Sequence, residues 1–151
     1  MPQMSALEMG KRSGDLMKVD IDALHAYDQA IENTELISLR KQLAEFRADH
    51  ERHVEQLRAL TEAFDVVPPD CSQDFKGFLM EGFTALRSLT GVEGALKAMK
   101  SNEELTNRKY REALALGFTP RTRELLERNY EEEQVHLQVI ERALAERIWE
   151  K

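Results

Sequence analysis

Three of the chain's four histidines stand where a hydrophobic seam should continue. Leu36, Leu39, Leu43, Phe46, His50, His53, Leu57 and Leu60 follow one another at steps of three and four. That spacing keeps one face of a helix turned toward a partner. Near the C-terminus Leu126, Asn129, Glu133, His136 and Ile140 repeat the pattern. Buried imidazoles and carboxylates cost free energy unless something satisfies them. A metal ion would do so: imidazole and carboxylate together suit divalent iron, manganese or zinc. The i, i+3 spacing of His50 and His53, and of Glu133 and His136, turns both members of each pair toward one ion.

The elements that must position these groups are helices. Strand signals are nearly absent, and two of the four prolines are the adjacent pair Pro68 and Pro69. Residues 1–15 read as a flexible leader, because Gly10, Ser13 and Gly14 interrupt any helical pattern. Residues 16–151 read as a single helical-bundle domain. A first helix is expected from about Leu16 to Glu32. A short turn at Asn33-Thr34 follows, and Thr34 is placed to cap a second helix that runs to about Phe64. Pro68, Pro69 and Asp70 end that run. Asp74 to Ser88 then reads as a short extra helix inside a long crossover. Thr90 to Glu93 has the form of a capping box, opening a third helix that extends to about Leu116. Gly117 is expected as its C-cap. Thr119-Pro120 restarts the chain as N-cap and first residue of a fourth helix ending near Ile148-Trp149. No repeat of short fixed period appears, although the two helix pairs resemble each other: each ends in a long helix with a central histidine.

Antiparallel pairing of short-looped helices says which residues lie level. About the turn near Phe118, Glu133 falls opposite Glu103. About the turn at Asn33-Thr34, His50 falls opposite Met17, within a turn of Asp20. One polar layer therefore gathers Asp20, His50, His53, Glu103, Glu133 and His136. Glu103 or Glu133 could bridge two ions.

Bulk properties exclude several classes. At 151 residues the chain can bury a core, and its net charge of -7 argues against a nucleic-acid partner. A single cysteine, Cys71, rules out an internal disulfide and multi-thiolate metal sites. No apolar run is long enough to span a membrane, and the N-terminus has no secretory h-region, so a cytoplasmic location is expected. Pairing of two bundles into a homodimer through helix faces stays open. No phosphate loop or nucleophile elbow is present.

The order of parts resembles the ferritin-like superfamily of di-iron carboxylate four-helix bundles, in which one long crossover joins two antiparallel hairpins. In that family two helices each give an acidic residue and two each give a Glu-x-x-His pair. Glu133-Gln134-Val135-His136 matches outright, and Glu103 matches the acid of the third helix. His50-Glu51-Arg52-His53 departs, with histidine in the glutamate position. The first helix offers the shorter Asp20, with Asp28 and Glu32 as substitutes. The resemblance spans about residues 16 to 148 and is closest to small ferritin-like bundles of bacteria. It implies a non-haem metal centre acting on dioxygen or peroxide, with Glu103 and Glu133 bridging, His53 and His136 terminal, and His50 replacing a carboxylate.

The same residues have plainer uses. Two buried imidazoles bonded to neighbouring carboxylates would fix helix register without any ion. Asp20 or Asp22 could simply favour the positive end of the first helix dipole. Glu103 rather than Glu104 is chosen on seam phase alone. Glu131 and Glu132 read as a solvated face. Tyr27, Tyr110 and Tyr130 read as core residues with satisfied hydroxyls.

Overall fold

The computed structural model describes residues 2–70 and 91–151. Among these residues the chain is all-α, with long helices α1 (Ala6–Glu32), α2 (Ile37–Ala63), α3 (Gly91–Leu114) and α4 (Pro120–Ala145). A 3-10 turn, Ile148–Glu150, follows α4. No described helix is long and apolar enough to cross a membrane. The helix expected over Asp74 to Ser88 lies outside the described residues, as does Thr90 of the expected capping box.

The first helix corrects the expectation of a loose leader. It begins at Ala6, not Leu16. Ser5 caps it, its hydroxyl accepting from Glu8 N at 3.1 Å, and Glu8 pairs with Arg12 one turn on. Neither glycine breaks the helix, and Gly10 serves close approach. A Cβ at Gly10 would fall 2.4 Å from Val66 Cγ2, so the residue lets the chain beyond α2 close against α1. Packing here overrides local propensity. The longer helix also puts Asp20 at mid-helix, far from any N-terminal dipole.

Three ends differ from expectation in similar ways. Leu36, not Thr34, occupies the N-cap position of α2; the Thr34 hydroxyl instead donates to Ala30 O at 2.6 Å and closes α1. α3 stops at Leu114, and Gly117 does not cap it. Gly117 O accepts from Met4 N at 2.8 Å, and a Cβ there would meet Pro2 O at 2.0 Å. α4 ends at Ala145, where Arg147 takes a left-handed φ of 49° before the 3-10 turn. Thr119 caps α4 as the sequence indicates, with Pro120 in its first turn.

α1 packs along α2, α3 along α4, and α1 against α3. The apolar core is divided in two. One cluster includes Tyr27, Leu43, Phe46, Leu96, Met99 and Ile140. The other includes Leu16, Met17, Leu57, Tyr110 and Leu126. Each buried large side chain contributes about 1.5–3 kcal/mol to folding. On α2, α3 and α4 the polar seam residues fall between the two clusters in sequence; on α1 Asp20 lies between Met17 and Ile21 of the second cluster.

Candidate metal centre

All six residues picked out by seam spacing are buried: Asp20, His50, His53, Glu103 and Glu133 have no solvent exposure, and His136 has 1%. Glu103 points inward while its neighbour Glu104 is exposed, which settles the phase of α3. Asp28 is engaged elsewhere, accepting from Arg47 Nε at 2.5 Å.

The six form two overlapping groups. Asp20, His50, His53 and Glu133 make one; His50, Glu103, Glu133 and His136 make the other. Within each group the candidate ligand atoms lie within 4.8 Å of one another. In the first, Asp20 Oδ1 is 2.7 Å from His50 Nδ1 and 3.2 Å from His53 Nδ1, and His53 Nδ1 is 3.0 Å from Glu133 Oε1. In the second, His50 Nε2 is 3.0 Å from Glu103 Oε1 and 3.3 Å from Glu133 Oε2. His136 Nδ1 is 3.3 Å from Glu133 Oε2 and 3.6 Å from Glu103 Oε1.

Proximity does not satisfy every group. Both Glu133 oxygens, Glu103 Oε2 and His136 Nδ1 are buried without a hydrogen-bond partner. Buried polar atoms are nearly always paired, so these four atoms keep bonding capacity that an ion could take up. Each group offers two nitrogens and two carboxylates, a donor set suited to a first-row divalent ion. The residues present therefore fit a metal.

Protonation reflects the same crowding. Burial raises Glu133 well above the usual carboxylate range, helped by repulsion from Glu103 and Asp20. Burial would lower His50, but the Glu103 charge and the bond to Asp20 override it and push His50 up to about 10. For Asp20, burial is outweighed by bonds from His50 and His53, which hold it at about 2. Glu103 is lowered too: burial opposes this, and the His50 charge, the close His136 ring and the bond from His50 prevail. Without an ion, the His50 ring thus neutralises carboxylates on either side.

Four further residues support the centre, and seam spacing gave only two of them, as ordinary core tyrosines. Tyr27 donates to Glu103 Oε1 at 2.6 Å, and Tyr110 donates to Asp20 Oδ2 at 2.6 Å. Burial, then the adjacent carboxylate, raises both phenols well above their usual value. His53 Nε2 is 2.6 Å from Glu132 Oε1, and His136 Nε2 is 2.8 Å from Asp49 Oδ2. Glu132 is thus not merely a solvated side chain. Arg52 pairs with both Asp49 and Glu132 and ties the two supports together.

These contacts come in matched pairs. Asp20 and Glu103, Tyr27 and Tyr110, Asp49 and Glu132, His50 and Glu133, His53 and His136 are each 83 residues apart (103 less 20, 136 less 53). The same offset relates Leu43 to Leu126 and Leu57 to Ile140, and each of those pairs is split between the two apolar clusters. The halves of the chain therefore meet in pseudo-two-fold fashion across the polar layer. The pairing of His50 with Glu133 is where the ligand chemistry breaks the symmetry.

No curated protein matches the chain. One family model does, over residues 14–116, a span that holds Asp20, His50, His53 and Glu103 but stops short of Glu133 and His136. The match covers more than half of the chain, which belongs to the family described as "Domain of unknown function (DUF2383)".

Proposed function

We propose that the chain is a ferritin-like metal-binding bundle: two antiparallel helix pairs joined by a crossover, with one or two transition ions in the central layer. The observation that carries this is Glu133, a fully buried carboxylate whose two oxygens lack hydrogen bonds while three imidazoles surround it. Asp20, His50, His53, Glu103, Glu133 and His136 would hold the ions. Iron or manganese would supply one-electron chemistry toward dioxygen or peroxide, and zinc would make the same site structural.

The chain's own residues have definite tasks in this reading. Tyr27 and Tyr110 hold the Glu103 and Asp20 carboxylates in fixed orientation through their phenol protons. Asp49 and Glu132 hold His136 and His53 by their outer nitrogens, so that Nδ1 of each faces inward. Phe46 stacks on the His136 ring at 4.3 Å between centroids and keeps water from that side. The test is dioxygen uptake by protein loaded anaerobically with ferrous iron. Uptake above that of free iron, lost in His53→Ala/His136→Ala, supports a redox centre; iron bound with no uptake contradicts one.

One observation favours a second reading. His50 already joins Asp20 and Glu103 through its two nitrogens. Such a network could fix helix register in a non-enzymatic bundle that associates through its faces. Failure of the native protein to take up any ion would select this reading.

A further inference from the structure

His50 is unlike the other imidazoles of the layer. His53 and His136 each turn one nitrogen inward and give the other to a supporting carboxylate, Glu132 or Asp49. His50 has no such support. Its Nδ1 faces Asp20 in the first group, and its Nε2 faces Glu103 and Glu133 in the second. The ring is fully buried and belongs to both groups. It is the wall between them, and Glu133 runs parallel to it, with Oε1 near His53 and Oε2 near His50 and His136.

Resting on the metal-binding reading above, we propose that His50 serves two ions at once, one on each ring nitrogen, so that the centre is an imidazolate-bridged metal pair. With both nitrogens bound, the ring carries no N–H, and its protons leave to solvent. The position is set by the internal repeat: His50 stands where the second half of the chain carries Glu133. A carboxylate bridge holds two ions about 3.5–4 Å apart. A ring with metal–nitrogen bonds of about 2.1 Å at each end holds them farther apart, roughly 6 Å. The two positions are also inequivalent, because one takes the short Asp20 and the other the longer Glu103.

Copper(II) is a suitable probe, because two bridged ions couple magnetically and lose spin-resonance intensity, whereas isolated ions keep it. The wild-type protein is expected to bind two equivalents with far less intensity than its copper content. His50→Gln should bind fewer ions or show full intensity, and Glu133→Gln should remain coupled through the ring. His50→Glu keeps a ligand and restores a Glu-x-x-His in both halves. It should still bind two ions, at a shorter metal–metal distance by X-ray absorption. Two uncoupled coppers in the wild type, coupling that survives His50→Gln, or an unchanged distance in His50→Glu would each overturn the bridge while leaving metal binding intact. No copper uptake by the wild type would overturn both.

Discussion

His136 and Asp49 are joined at 2.8 Å, Nε2 to Oδ2, and the other nitrogen of the same ring, Nδ1, points into the bundle toward Glu133. His53 and Glu132 repeat the arrangement at 2.6 Å from the other half of the chain. A carboxylate on the outer nitrogen fixes the tautomer and the ring orientation, which is how proteins prepare histidine for a metal. Asp49 and Glu132 lie at the edge of the site, so replacing them removes support without removing a ligand. Asp49→Ala and Glu132→Ala should each weaken metal affinity by about 10–100-fold with unchanged stoichiometry. Competition with a chromophoric chelator measures it; equal affinity in wild type and variants would show that the supports do nothing for the ion.

The two phenols make a matched prediction about stability. Tyr27→Phe strips Glu103 of its 2.6 Å donor, and Tyr110→Phe does the same to Asp20. A buried carboxylate left short of a donor costs about 1–3 kcal/mol. Urea unfolding of the metal-free protein should show similar losses for the two variants, with an unchanged slope. A loss confined to one of them would contradict the pseudo-two-fold relation.

Protons should report on the ion. The metal-free centre holds His50 up to about 10 and Glu133 above its usual range, so both carry protons that a bound ion must displace. Metal uptake near neutral pH should therefore release protons, and apparent affinity should rise about tenfold per pH unit for each one. Titration calorimetry in two buffers of different ionisation enthalpy counts them. The raised His50 value also contributes stability to the metal-free protein. That contribution is complete below the ordinary histidine value of 6.5 and disappears as pH rises through about 10. Urea midpoints should accordingly fall over that interval without metal; a flat profile would contradict the paired His50.

Much of this was legible along the chain, for a physical reason. Long helices with short turns give strong periodicity, and a seam that reads Leu96, Met99, Glu103, Thr106, Tyr110 buries every member. That is why Glu103 could be told from Glu104. The start of α1 was not legible, because Gly10 and Gly14 look like breakers until Val66 and Pro69 are seen packed over them. Asp49 and Glu132 sit beside the seams, and their pairing with histidines of the opposite half depends on how the helices meet. The internal repeat shows a related limit. Its constant offset is written in the sequence, but shared chemistry at only a few positions, Tyr27 with Tyr110 and His53 with His136, becomes meaningful once each of those residues is seen bonded to a carboxylate of the opposite half.

The most direct test is the metal content of the purified protein. Chain loaded separately with iron, manganese and zinc, then freed of loose ions, is compared by elemental analysis with His53→Ala/His136→Ala treated alike. Stoichiometric metal is expected in the native protein, and its loss in a variant that keeps its helical content. Metal no higher than the buffer blank in the native protein, or equal metal in both, would contradict it.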